Sequence, residues 1–427
     1  MKLLIIGGGG REHALAWKLS QSPRVDKIYC APGNAGTAAL GENVPLALTD
    51  VDGLLRFAQG HDIGLTVVGP DDALAAGVVD RFQAAGLRIF GPTRDAAKLE
   101  WSKIFTKEFL GRHGIPTAAA GSFDSSVEAH RFCVGKTYPL VIKADGLATG
   151  KGVIVAEHPQ AAAEAIWEMM DRGRFGPAGR RILIEEYLSG PECSLHVLLD
   201  GGSYVLWPAA QDYKRAGEGD TGANTGGMGA VSPPVRPLDP AIERRIHAEI
   251  LQPLLAGLKA EGIRFQGMLF PGLMLTAAGP QVLEFNARFG DPETQVLLPR
   301  LKSDLLPVLE AVIEGRMAEV QLEWDPRPAV CVVLASGGYP GTYPTGRVVG
   351  GLETVQAGAA GGDLFVFHAG TRVVDGQTVT AGGRVLGVVA LGDDHADARA
   401  KAYAAAGRIT FAGKYLRSDI AAGASVG

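Results

Sequence analysis

The chain has 427 residues, 46% hydrophobic and 20% charged, with a formal charge of −5. This length predicts two to four domains, and the composition excludes a mainly disordered chain. The weak acidity leaves no electrostatic footprint for DNA or RNA, and no apolar stretch is long enough to span a membrane.

Cys30, Cys133, Cys193 and Cys331 form no CxxC pair. A disulfide framework or zinc site is therefore not expected, and a reducing cytoplasm fits. The apolar run in Met1–Ile6 is too short for a signal-peptide core. Gly and Pro, 59 and 25 residues, show no collagen period, so they punctuate turns.

In chain order, Leu3–Ile6 reads as a buried parallel strand that runs into Gly7-Gly8-Gly9-Gly10 and a helix. Strands at Lys27–Ala31, Leu65–Val68 and Leu87–Phe90 follow, with helical stretches between. This alternation predicts a doubly wound α/β domain with a parallel sheet. The glycine run fails the dinucleotide fingerprint, because Glu12 or His13 stands where the third glycine belongs. The second strand also ends in Ala31-Pro32, without an acid for ribose. A tight turn and a phosphate cradle at a helix N-terminus both remain open.

Pro139–Lys143 reads as a strand, followed by the turn Asp145–Gly152 and a strand at Val153–Ala156. The turn departs from a Walker A loop, since three residues separate Gly146 from Gly150 and Gly152 replaces Ser or Thr. A hairpin folding over triphosphate, with Lys143 as a point charge, is the functional reading; an exposed hairpin is the alternative. Residues 160–172 read as helix, Arg181–Leu188 as strand and residues 195–207 as a strand pair. Residues 211–234 look too polar and glycine-rich for regular structure. They read as a surface loop or as a cradle that orders on binding.

A helix opens at Asp239-Pro240, with Ile242, Ile246, Ile250, Leu254 and Leu258 along one face. Strands at Leu269–Thr276 and Gln281–Asn286 follow. Period two puts Glu284, Asn286 and Arg288 on one face if the strand holds. A carboxylate and an amide oxygen two apart suit Mg²⁺ bridging phosphates, and an arginine beside them can hold a carboxylate or phosphoryl group. Asp291 and Glu293 add two carboxylates. Asp325-Pro-Arg-Pro328 reads as a linker to a smaller α/β or β-rich unit.

Several of these segments together resemble the phosphoribosylamine–glycine ligase family of the ATP-grasp superfamily. They are Gly8–Ala14, Ala31–Gly36, Lys143–Ala148 with Gly150–Val153, Gln211–Gly229, Glu284–Glu293, Ala335–Gly341 and His368–Thr371. The resemblance covers nearly the whole chain. It implies an N-terminal substrate domain (1–101), a central ATP-grasp α+β domain (102–324) and a C-terminal domain (325–427). The implied reaction joins glycine to 5-phosphoribosylamine, with ATP as substrate and Mg²⁺ or Mn²⁺ as metal, through glycyl phosphate. A cytoplasmic monomer without nucleic-acid or membrane partners is expected.

By the same resemblance, Lys103 and Lys143 touch ATP phosphates and Gly150, Lys151 and Gly152 close over them. Glu185, Glu186, Tyr187 and Leu188 read adenine, with Glu192 near the ribose. Glu284 and Asn286 are the metal ligands. Arg288, with Lys143 the catalytic pair, holds the glycine carboxylate. Gly9, Gly10, Arg11, Asn34, Gly36, Asp212, Lys214, Arg215, Thr225 and Asp291 line the phosphoribosylamine pocket. Departures are Asp71 where the family often has Glu, Trp101 before Ser102-Lys103, and an Ala-rich C-terminus. Rival readings are another ATP-grasp ligase, an NAD-dependent oxidoreductase and a nucleotide-binding regulator without turnover.

Overall fold

The computed structural model describes residues 1–147, 152–358 and 362–423. At the N-terminus five strands, β1 (Lys2–Gly7), β2 (Lys27–Pro32), β3 (Glu42–Asn43), β4 (Ile63–Val68) and β5 (Ile89–Phe90), form one sheet in the order β3-β2-β1-β4-β5. All pairs are parallel. Leu3, Leu4, Ile5 and Ile6 are wholly buried, as expected of a strand covered on both faces. The strand order reverses between β1 and β4, so the β1 turn and Gly69–Asp72 flank the crevice where such sheets take ligands. Helix α1 (Gly10–Leu19) leaves from that edge.

The centre holds two antiparallel sheets. The first contains β6 (Ala120–Phe123), β7 (Leu140–Ala144), β8 (Val153–Ala156) and β9 (Ile182–Glu186), in the order β6-β9-β7-β8. Helices Ser126–Cys133 and Pro159–Ile166 supply Ala129, Ala162 and Ile166 to the core under this sheet. The expected hairpin is present, with Lys143 opposite Val153. Strand β9 ends at Glu186, so Tyr187 and Leu188 lie beyond it.

The second sheet orders β10 (Glu192–Ser194), β11 (Val197–Asp200), β12 (Tyr204–Leu206), β17 (Gln266–Thr276) and β18 (Gly279–Asn286) as β10-β17-β11-β12, with β18 also on β17. Asp239 caps the helix Pro240–Ile246 as expected, accepting from the Ala241 amide. The apolar face continues through a π turn, His247–Leu251, into Gln252–Ala260.

The segment expected to be irregular, 211–234, is instead strand-rich: β13 (Gln211–Asp212), β14 (Arg215–Gly217), β15 (Thr221–Asn224) and β16 (Gly229–Ser232). The reason is remote pairing. Strand β16 is fully buried and lies antiparallel to β19 (Ala329–Ser336), with Ala230 opposite Cys331. Strand propensity reflects what a segment packs against, and here the partner comes about a hundred residues later.

Strand β19 continues that sheet to β23 (Arg384–Leu391) and β20 (Leu364–His368), with β24 (Lys414–Tyr415) off its side. A hairpin of β21 (Thr371–Val374) and β22 (Gln377–Thr380) stands apart. The sheet is thus built from both the central and the C-terminal sequence. The expected linker is itself tied down, since Arg327 bonds Asp325 at 2.9 Å and Asp363 at 2.7 Å. Among the described residues no helix is long and apolar enough to cross a membrane.

Candidate functional site

The site forms where the three sheets approach. On the first central sheet, Ser102 caps the helix Lys103–Arg112 by accepting from the Phe105 amide. Asp145, at the base of the β7–β8 hairpin, accepts from Ser102 Oγ at 3.0 Å and from the Ile104 amide at 3.1 Å. This ties the start of the Lys103–Arg112 helix to the base of the hairpin that follows Lys143. Lys143 donates to the Leu283 carbonyl at 3.0 Å, which docks the hairpin strand against β18.

Glu185 meets lysines in the folded chain. Its buried carboxylate lies between Lys143 and Lys107, at 2.6 Å from each, and so faces the lysines rather than a base. Alternation along β9 dictates this, because Glu185 shares a face with Leu183 while Glu186 turns outward to accept from the Ala119 amide at 2.9 Å. Tyr187 is half exposed. Lys107 was missed in the sequence, although it follows Lys103 by four residues and hence shares its helix face. Gly152 is buried, and its carbonyl accepts from the Ala144 amide at 2.8 Å. Gly150 and Lys151 lie outside the described residues.

Glu284 sits opposite Gly272, and Asn286 opposite Phe270, on the same side of β18. Burial alone would push the Glu284 carboxyl upward. Lys214, Lys103, Lys143 and Arg288 outweigh it and hold the group below the usual carboxylate range. Four of the expected residues therefore converge on this one carboxylate, with Lys214 Nζ 4.0 Å away. Lys214 also pairs with Glu192 at 3.2 Å, which brings the expected ribose and amine-substrate residues into contact.

Arg288 lies just past β18, yet its guanidinium folds back to donate to Asn286 Oδ1 at 3.0 Å, as the shared-face reading requires. It also pairs with Glu100 at 3.0 Å, and Glu100 accepts from the Ala287 amide at 2.8 Å. Burial pushes the Glu100 carboxyl up to about 7, against the pull of Arg288 and with a further push from Asp71. Glu100 had no signal in the sequence beyond its place next to Trp101.

A divalent cation fits the strand. Glu284 is held ionised and Asn286 offers an amide oxygen on the same side, so two hard donors are ready to be completed by phosphate oxygens. Among the described residues no cluster of three or more His, Cys, Asp or Glu could hold a metal by itself.

The glycine run is closed internally in this structure. The Gly9 amide donates to Glu12 Oε2 at 2.6 Å, so the capping side chain, not an anion, satisfies this donor. A Cβ at Gly7 or Gly69 would strike Glu12, and at Gly7 φ is +132°. These glycines make room for that carboxylate. Gly10 is equally crowded, by Gln295 Nε2. Arg11 is buried, bonding Glu12 at 2.5 Å and the Phe289 carbonyl at 3.1 Å.

Asn34 is likewise saturated. Its amide donates to the carbonyls of Gly8 at 2.9 Å and His368 at 2.7 Å, and its oxygen accepts from Gly36 and Thr37. Its side chain thus ties the turn after β1 to the segment after β2 and to the end of β20. Gly36 is needed where the His13 ring packs.

Asp291 accepts from Arg384 at 2.9 Å and from Gln295 at 2.7 Å, which links the central and C-terminal units. Burial would raise its carboxyl, and Arg384 with Arg11 holds it low instead. Arg215 donates across its own hairpin to Gly222 at 2.8 Å, and Thr225 Oγ1 donates to the Lys214 carbonyl at 2.8 Å. Both build the loop that carries Asp212 and Lys214. The remoteness of Arg384 hid it from sequence reading, since only the folded chain brings it to Asp291.

Lysines, an oxygen-donor strand and a hairpin between two antiparallel sheets, next to a parallel sheet, define an ATP-grasp ligase. Along the chain, the phosphoribosylglycinamide synthetase N domain matches residues 1–100, the ATP-grasp (A) domain residues 101–294 and the C domain residues 329–423. The chain belongs to the phosphoribosylglycinamide synthetase family.

Relatives named phosphoribosylamine–glycine ligase include that of Caldanaerobacter subterraneus subsp. tengcongensis, 48% identical over 99% of this chain and 100% of its own length. That of Vibrio cholerae serotype O1 is 50% identical over 98% and 97%. The solved phosphoribosylamine–glycine ligase of Thermotoga maritima superposes with a TM-score of 0.83 at 32% identity, covering 98% of this chain and all of that one. Biotin carboxylase of Campylobacter jejuni shares the fold, with a TM-score of 0.74 at 15% identity over 99% and 94%.

Proposed function

We propose that this chain joins glycine to 5-phosphoribosylamine, giving glycinamide ribonucleotide, ADP and phosphate, and that it does so through glycyl phosphate. The observation that carries this reading is the convergence of Lys103, Lys143, Lys214 and Arg288 on Glu284, in a chain of this family. A carboxylate becomes a competent acyl donor once one of its oxygens can leave as phosphate. Positioning and electrostatics do most of the work of phosphoryl transfer.

In this reading Lys103, Lys143 and the segment 150–152 bind ATP phosphates, and Arg288 anchors the glycine carboxylate. Glu185 keeps Lys143 and Lys107 oriented. Glu284 and Asn286 hold Mg²⁺ or Mn²⁺, which when bound neutralises charge on the phosphates. The tail of the β9 strand, Glu186–Leu188, receives adenine. Asp212, Lys214 and Asp291 face the phosphoribosylamine, on a wall shaped by Arg11, Asn34 and Gly36. The segments 1–101, 102–324 and 325–427 divide this work. A monomer is the proposed working unit, and the four free cysteines support the cytoplasm as its compartment.

The test is isotopic. With ¹⁸O in the glycine carboxylate, product phosphate carries one label if glycyl phosphate forms. Unlabelled phosphate, or ADP release that does not need glycine, overturns the reading.

A further inference from the structure

Beside the Glu284 cluster lies a set of buried polar atoms that the protein itself leaves unpartnered. Glu293 is 1% exposed and its Oε1 has no hydrogen-bond partner. His196 is wholly buried, stacked on Phe270 at 4.8 Å, with neither ring nitrogen bonded. Both converge on Gly290, where a Cβ would lie 2.6 Å from His196 Nε2 and 2.7 Å from Glu293 Oε2. Asp212 Oδ1 is buried without a partner as well, and a Cβ on Gly227 would lie 2.6 Å from it. Arg288 Nε completes the group.

Folded proteins satisfy nearly all buried polar atoms. An unpaired buried carboxylate costs several kcal/mol and is retained where a proton or a ligand fills the gap. Here two carboxylates share one buried region, and neither makes an ion pair within 4 Å among the described residues. Glu192, Lys214 and Arg384 face Asp212, while Lys214, Arg288 and Asp291 face Glu293. Burial and repulsion from Glu293 push Asp212 well up from the usual range against Lys214 and Arg384, and burial with Asp291 pushes Glu293 up against Lys214 and Arg288. His196 is held neutral by burial and by Arg288.

We infer that Asp212, with Glu293 behind it, takes the proton released by the amine of phosphoribosylamine as that amine attacks the acyl group. This rests on the glycyl phosphate reading above. In the step, the amine nitrogen forms a bond to the glycyl carbon, and the carbon–oxygen bond to phosphate breaks with its electron pair leaving on phosphate. The nitrogen's proton passes to the Asp212 carboxylate. The unbonded Asp212 Oδ1 is the acceptor, and the like charge of Glu293 favours its taking a proton. Lys214 belongs to both clusters and ties the acceptor to the phosphate-bearing end. Glu293 is a positioning residue in this scheme, since it acts through Asp212.

The experiment compares two nucleophiles. Hydroxylamine is largely unprotonated at neutral pH and attacks acyl phosphates without a base. ADP release is measured for wild type, Asp212→Asn, Asp212→Glu and Glu293→Gln, with ATP, glycine and either phosphoribosylamine or hydroxylamine. With phosphoribosylamine, Asp212→Asn should lower kcat by on the order of 10²–10³, the usual scale of general-base loss. Asp212→Glu should recover part of it, and Glu293→Gln should lower kcat about tenfold while moving the acidic limb of the pH–rate profile. With hydroxylamine, each variant should lose at least tenfold less than it loses with phosphoribosylamine, and Glu293→Gln should stay within about threefold of wild type.

Equal losses with both nucleophiles, or Asp212→Asn within threefold of wild type with phosphoribosylamine, overturn the assignment. If Asp212→Asn does not fold, Glu293→Gln decides by the same contrast. Wild type that gives no glycine-dependent ADP release with either nucleophile sinks the glycyl phosphate reading itself, a different result from any contrast among variants.

Discussion

The turn after β1 and the stretch after β18 are both motif-rich and both face the cleft, yet they are finished in opposite ways. In the first, nearly every polar group is closed by the protein: Gly9 on Glu12, Arg11 on Glu12 and Phe289, Asn34 on four backbone groups. In the second, Arg288 Nε, Glu293 Oε1 and, across from them, Asp212 Oδ1 remain unbonded. A glycine run is therefore weak evidence of a ligand, because glycines also serve to admit a neighbour's side chain. Incomplete bonding in a buried, charged region is the stronger mark of chemistry.

The largest effect expected from this contrast is at Glu284. Glu284→Gln should fold normally and lose on the order of 10²–10³ in kcat, the scale seen when a key electrostatic group is removed. Turnover near wild type at saturating magnesium would remove Glu284 from the machinery and erase the contrast.

Asn34→Ala should do the reverse. It leaves buried backbone groups without partners, at about 1–3 kcal/mol each, so urea denaturation should register a clear loss of stability. The KM for ATP should stay within about twofold. A stable variant with a raised KM for phosphoribosylamine would show that the first region binds ligand directly.

Glu100 stands between the two regions. Its folded carboxyl titrates near 7, above its ordinary value of 4.5, because burial disfavours the ionised form. The stability this confers is complete below about pH 4.5 and is lost as pH rises through 7. Glu100→Gln should therefore gain stability relative to wild type as pH rises from about 4.5 to 7.5, by on the order of 3 kcal/mol at the top of that window, read by urea denaturation at each pH. A flat difference across that window would mean that Arg288 keeps Glu100 ionised throughout.

The smallest effect is expected at Asp71, which opens the helix Asp71–Ala75 at the crevice edge. Asp71→Glu should keep activity within about tenfold, roughly 1.4 kcal/mol. Steady-state kinetics check this, and a larger loss would give the first region a direct role.

What was legible in the sequence was local. The run Leu3–Ile6, the hairpin after Lys143 and the period-two triplet Glu284, Asn286 and Arg288 each carry their pattern within a few residues. Lys107 with Glu185, and Asp291 with Arg384, do not, because each pair joins residues that only the fold brings together. The surroundings of Glu185 were hidden for the same reason, since its partner Lys107 comes from a helix remote in sequence. The strands within 211–232 were missed because their polar, glycine-rich residues have weak intrinsic preference and borrow order from β19.

That borrowed order limits how the molecule can be cut or shuffled. A chain ended near residue 324 would keep β16 but lose its neighbour, leaving Gly229–Ser232 as an open apolar edge inviting self-association. The C-terminal unit expressed alone would have the mirror-image defect. In chimeras between relatives, then, a crossover placed in the apparent gap between matched segments should produce insoluble protein. Swapping 211–232 together with the C-terminal part should restore soluble product, so the unit of exchange is discontinuous in sequence.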